Sequence, residues 1–97
     1  MTKDEVLYKL KKEKHYLQEN YGVKEIGLFG SYARNEASVD SDIDIYVELE
    51  ENKFRKLAGL WVFLDSIYSG LKVDILNKNR YSNSEILKHI QKETIFI

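Results

Sequence analysis

Between Asp42 and Glu50 the chain alternates without a fault. Ile43, Ile45, Val47 and Leu49 fall on one side of an extended backbone, and Asp42, Asp44, Tyr46 and Glu48 fall on the other. No other stretch constrains the fold as tightly. A period of two predicts a strand with one buried face and one wet face, and here the acidic start of the strand is on the wet side. Such a strand needs apolar cover, so the question is what the remaining residues can lay over it.

The flanking segments supply that cover. Thr2 and Glu5 have capping-box spacing, and Val6, Leu7, Leu10, Leu17 and Tyr21 fall on one helical face. This predicts a first helix ending at Asn20-Tyr21-Gly22, with Gly22 as a left-handed C-terminal cap. Its charged run Lys11-Lys12-Glu13-Lys14 reads as a solvated face. Val23–Phe29 reads as a short strand, broken by Gly30-Ser31 before a helical turn at Tyr32-Ala33-Arg34-Asn35 and a polar connection through Ala37–Ser41. After a turn at Glu51-Asn52-Lys53, the residues Phe54, Leu57, Leu60, Trp61, Leu64, Ile67 and Tyr68 recur at helical spacing. Their aromatic rings are assigned to the core. Leu71–Leu76 is expected to be a strand with Val73 and Ile75 inward and Lys72 and Asp74 outward. A last helix capped by Ser82 or Asn83 runs to about Gln91, with Ile86, Leu87 and Ile90 inward, and Thr94–Ile97 closes the order as a strand.

The resulting expectation is a small α/β (α+β) domain, a mixed β-sheet with helices mainly on one face, and a single domain over residues 1–97. At this length the fold buries only about 60–65 % of the unfolded surface, enough for one modest core. The formal charge of −1, from 15 Lys+Arg against 16 Asp+Glu, argues against nucleic acid as a partner, because displacing counterions from a phosphate backbone takes a positive excess. With no cysteine, disulfides, thiolate catalysis and Cys-ligated zinc are excluded. Residues 1–20 are charged and lack an apolar leader, and no apolar run reaches the roughly 18–20 residues of a membrane span. A cytoplasmic protein is expected.

Two short motifs carry chemistry. A glycine between a strand and a helical turn lets a ligand approach the backbone, and the N–H groups of the turn suit phosphate oxygens, with the Ser31 hydroxyl as a further donor. Taken alone, Gly30-Ser31 more often marks a plain turn with no ligand. Asp42 and Asp44 project from one edge of one face, where two carboxylates repel unless a cation lies between them. Hard oxygen donors of this kind suit Mg²⁺. Taken alone, Asp42-x-Asp44 is more often a solvated acidic turn entering a strand. Asp74 adds a third carboxylate if its strand neighbours that of Asp44, and it could then hold a metal or accept a proton. His15 and His89 lie on charged helix surfaces without a metal-like partner. Nothing in the sequence selects among Tyr32, Tyr46 and Tyr81 for a role in stacking or as an acceptor.

Together, Gly30-Ser31, the ten residues that follow, Asp42-x-Asp44 and a later strand aspartate resemble the DNA polymerase β-like nucleotidyltransferase superfamily. Within it, the segment Gly-Ser-Tyr-Ala-Arg…Ser-Asp-Ile-Asp-Ile is similar to the minimal nucleotidyltransferase (MNT) group, many of whose members are antitoxin partners of HEPN-domain toxins. The similarity covers nearly the whole chain. It implies that Gly30 and Ser31 hold the β- and γ-phosphates of a nucleoside triphosphate and that Asp42 and Asp44 ligate two Mg²⁺ ions. Asp74 would ligate the catalytic metal or help deprotonate the acceptor. For Arg34 two roles stay open, a contact to the triphosphate or a salt bridge to a nearby acid.

The reaction implied is attack of a hydroxyl on the α-phosphorus with release of pyrophosphate. Nucleotidyl transfer, AMP from ATP, to a tyrosine of a partner HEPN toxin is the first expectation, and a chain this small has no room for an acceptor-binding domain of its own. A binding module that silences a toxin by occlusion is the second. A subunit of a small-molecule nucleotidyltransferase is the third.

Overall fold

The computed structural model describes residues 1–81 and 84–97. In chain order the elements are α1 (Lys3–Lys12), α2 (Lys14–Tyr21), β1 (Val23–Phe29), α3 (Gly30–Ala33), β2 (Ile43–Leu49), α4 (Phe54–Ile67), β3 (Val73–Asn77), a 3-10 turn at Lys78–Arg80, α5 (Glu85–Glu93) and β4 (Ile95–Phe96). The strands form one mixed sheet of order β3-β2-β1-β4. β1 runs antiparallel to β2 and to β4, whereas β2 and β3 run parallel and are joined through α4. The mixed α/β architecture is the one the residue pattern predicts.

Ile43, Ile45, Val47 and Leu49 are buried and share one core with Val6 and Leu10 of α1, Leu17 of α2, and Leu60, Leu64 and Tyr68 on and just after α4. Side chains 60, 64 and 68 line one helical stripe, so α4 lies along the apolar face of the sheet. Tyr68 carries its hydroxyl into the core and donates to the Val6 carbonyl at 2.6 Å. Burial raises its pKa far above the ordinary phenol value. At the end of β2, Asn79 stands in for a neighbouring strand: its side chain accepts from the Leu49 N–H at 2.9 Å and donates to the Leu49 carbonyl at 3.1 Å.

The caps follow their expected chemistry. Thr2 and Glu5 exchange hydrogen bonds as a capping box, at 2.9 and 3.2 Å, and Gly22 closes α2 at φ 65°. The first helix is nonetheless two helices, broken at Glu13 inside the charged run that offers nothing to the core. The expected caps Ser82 and Asn83 lie outside the described residues, and it is Ser84 that accepts from the Leu87 N–H at 3.3 Å.

Three inward assignments and one outward assignment fail or weaken. Phe54 is 84 % exposed, because it opens α4 while the stripe from Leu57 onward already spans the sheet. Trp61 sits at the rim of the core, its indole N–H donating to the Val73 carbonyl at 3.0 Å. Ile86 is 73 % exposed, since Leu87, a hundred degrees round the helix, takes the inward place. Tyr46, expected on the wet face, is fully buried, with its ring edge-on to Phe96 and its hydroxyl accepting from Gln91 Nε2 at 2.8 Å. The second face of the sheet is therefore partly covered, by α5.

Candidate functional site

Whether three carboxylates meet depends on strand order, and β3 does neighbour β2. The parallel register sets Asp44 directly opposite Asp74, on strands that lie about 4.8 Å apart in any sheet. Asp42 stands two residues earlier on the same face, just before β2 begins, and pairs with Lys72 at 3.7 Å. Asp44 is half-buried and Asp74 exposed. Burial, then the charges of Asp74 and Asp42, push the Asp44 pKa up from 3.8 to about 6, while Arg34 opposes and Glu93 adds to the rise. At neutral pH the cluster thus holds more negative charge than its surroundings favour.

Gly30 closes the site from the other side. Phe29 is the register partner of Asp44 across β1 and β2, so the chain turns into α3 immediately beside that carboxylate. Gly30 has φ +77°, and a Cβ there would collide with the Asp44 carboxylate oxygen. The residue is glycine for two reasons at once, a left-handed backbone and a side chain packed where a methyl would be. Ser31 follows, partly buried, in the first turn of α3.

Arg34 forms ion pairs. Its guanidinium donates to Glu93 at 3.2 and 3.4 Å and lies 3.4 Å from Glu36. Glu93 also accepts from the Gly30 N–H at 3.2 Å. Sequence reasoning did not single out Glu93. The available signal was a carboxylate in the last turn of a helix, where it opposes the dipole and needs a local reason to be there.

His15 pairs with Glu19 at 2.9 Å on an exposed helix surface. Farther along the same sheet face, past Tyr46, lies an open groove of about 390 Å³ lined by Glu48, Lys78, Asn79, Tyr81, Leu87 and Gln91 among others. None of the three aspartates reaches it.

Three oxygen-donor side chains, two of them in register on adjacent strands and the third just before β2, form a donor set suited to a hard divalent cation. Asp44 in particular is held in a state that a cation would relieve. Among the described residues, however, no three acidic or imidazole side chains stand close enough together to grip a metal ion as they are.

Known proteins resemble this chain in sequence and fold. The nucleotidyltransferase domain model matches residues 10–97. "Putative protein adenylyltransferase MJ1379" of Methanocaldococcus jannaschii is 41 % identical over 99 residues, covering 99 % of this chain and 98 % of the relative. Protein adenylyltransferase MntA of Thermococcus cleftensis is 39 % identical over 98 residues, covering 100 % and 97 %. Among solved structures, "Structure of putative minimal nucleotidyltransferase" superposes with a TM-score of 0.80 at 29 % identity, covering 98 % of this chain and 95 % of that one. A mutant of the MntA–HpeT toxin–antitoxin pair superposes with a TM-score of 0.62 at 20 % identity, over 99 % of this chain and 71 % of that one, and shares the fold.

Proposed function

This chain belongs to the nucleotidyltransferase domain family, and on that premise we propose that it transfers AMP from ATP to a hydroxyl group on a partner protein. The observation that carries this reading is the in-register pairing of Asp44 with Asp74, with Asp42 on the same face and the Gly30 backbone pressed against Asp44. The protein adenylyltransferase names of full-length relatives support protein as the acceptor.

Gly30 and Ser31 bind the terminal phosphates through backbone and hydroxyl donors and so fix the triphosphate against the acidic edge of β2. Asp42, Asp44 and Asp74 would hold Mg²⁺, which when bound neutralises phosphate charge and favours ionisation of the acceptor hydroxyl. Asp74, the most open of the three carboxylates, is placed to accept the proton as the acceptor oxygen forms its bond to the α-phosphorus. The bond from the α-phosphorus to the bridging oxygen breaks, and pyrophosphate leaves. The half-exposed site opens to solvent, which suits an acceptor presented by a second protein. A tyrosine of a helical toxin of the HEPN class is the acceptor we propose, making the chain an antitoxin that acts by modification.

The test is transfer of label from α-labelled ATP to a co-purified partner protein. Wild type with Mg²⁺ should label the partner, and Asp42→Ala/Asp44→Ala should not. No labelling by wild type would sink the enzymatic reading. A double variant that still protects cells from the toxin would move the biological work to occlusion.

A further inference from the structure

Glu93 is an acid in the wrong place by every local rule. It closes α5, where a negative charge faces the negative end of the helix dipole. It also stands near the aspartate cluster and helps to raise the pKa of Asp44. Two contacts offset these costs: the Gly30 N–H at 3.2 Å and the Arg34 guanidinium at 3.2 Å. The first is the backbone donor at the mouth of the proposed phosphate cradle, and the second is, among the described residues, the only cation paired with Glu93.

We propose that Glu93 is a built-in occupant of that cradle. Its carboxylate takes the donors that a triphosphate oxygen needs, and the nucleotide must displace it to bind. This rests on the phosphate-binding reading of Gly30 given above, and adds that the same donors are contested within the chain.

The surroundings limit how displacement can happen. Thr94 anchors the end of α5 through its hydroxyl to the Ile90 carbonyl at 2.6 Å, and β4 is held by pairing with Gly27 and Leu28 and by the Ile97 N–H on the Ile26 carbonyl at 3.1 Å. The backbone on both sides of Glu93 is tied. Only the side chain has freedom, and at 26 % exposure it has a path to solvent. Displacement is therefore a rotation of one glutamate that releases Arg34 from Glu93, leaving it the exposed pair with Glu36 at 3.4 Å as its remaining tie. An occupied cradle lowers the apparent affinity by the fraction of time the site is open.

Binding of magnesium tripolyphosphate, followed by calorimetry, reads this directly. Glu93→Gln keeps the shape and loses the charge, and Glu93→Ala removes the competitor. Both should bind about tenfold more tightly than wild type, while adenosine, which has no phosphates, binds all three proteins equally. Equal or weaker binding of tripolyphosphate by both variants overturns the proposal and makes Glu93 a positioning residue for Arg34. If wild type binds neither tripolyphosphate nor Mg-ATP, the phosphate-binding reading itself fails and takes this one with it. A measurement on wild type guards against variants that do not fold. The Glu93 side-chain carboxyl resonance should shift together with the Gly30 amide as tripolyphosphate is added, and a Gly30 shift with Glu93 unmoved counts against displacement.

Discussion

The two faces of β2 are built from the same seven residues and do opposite things. On one face Ile43, Ile45, Val47 and Leu49 disappear under α1, α2 and α4 with almost no exposed surface. On the other, Asp44 is half-buried beside Asp74, Tyr46 is sealed by Gln91 and Phe96, and Glu48 meets Lys78 at 3.3 Å. The first face is interchangeable in kind, since any apolar residues of suitable volume would fill it. The second is specific to residue type and carries electrostatic strain. Stability resides on one side of the sheet, and the strain it supports resides on the other.

That division can be broken most severely from the apolar side. Ile45→Asp places an unpaired carboxylate in the core, and a loss above about 4 kcal/mol is expected from the roughly 5–15 kcal/mol that holds a domain together. Urea titration followed by circular dichroism should show little folded protein. Leu64→Ala leaves a cavity instead, at a cost of about 2–5 kcal/mol. Its urea midpoint falls, but transfer activity at low temperature persists because no site residue has moved.

The acidic side should respond in the opposite sense. Asp44→Asn abolishes transfer and stabilises the metal-free protein, raising its melting temperature by roughly several degrees at pH 7.5. The pH dependence follows from a carboxyl whose pKa rises from 3.8 to about 6 on folding. Its favourable contribution is whole below the unfolded value and is lost as pH climbs through about 6. Melting curves of wild type and Asp44→Asn should coincide near pH 3.5, separate between pH 4 and 6, and stay apart above that. A variant less stable than wild type at pH 7.5 would remove the strain from the comparison. The smallest effect is expected from Tyr46→Phe, which loses the Gln91 hydrogen bond and about 0.5–1.5 kcal/mol in chemical unfolding.

The sequence was informative where a period forces an answer. Alternation over residues 42–50 specified both faces of β2, and the 60, 64, 68 stripe placed α4 over one of them. Strand neighbours are a different matter. Nothing local says that β3 pairs with β2 rather than with β1, so the meeting of Asp44 with Asp74 was a conditional until the sheet order was known. Tyr46 was misplaced for a related reason: a period of two identifies which side a residue faces and is silent about whether another element covers that side. Phe54 and Ile86 show the limit of helical periodicity at the first turn, where an apolar residue in phase can still project past its sheet. Glu93 was invisible as a site residue because its partners are more than fifty residues away in sequence.

Because apolar and acidic residues alternate one by one along β2, its pairing register also acts as a form of proofreading. A slip of a single position would bury Asp44 and Glu48 and expose Ile45 and Val47 in the same movement. The core and the acidic edge would fail together. A misregistered molecule is thus removed by its own instability, and a folded population of this protein carries few copies with a half-assembled acidic edge.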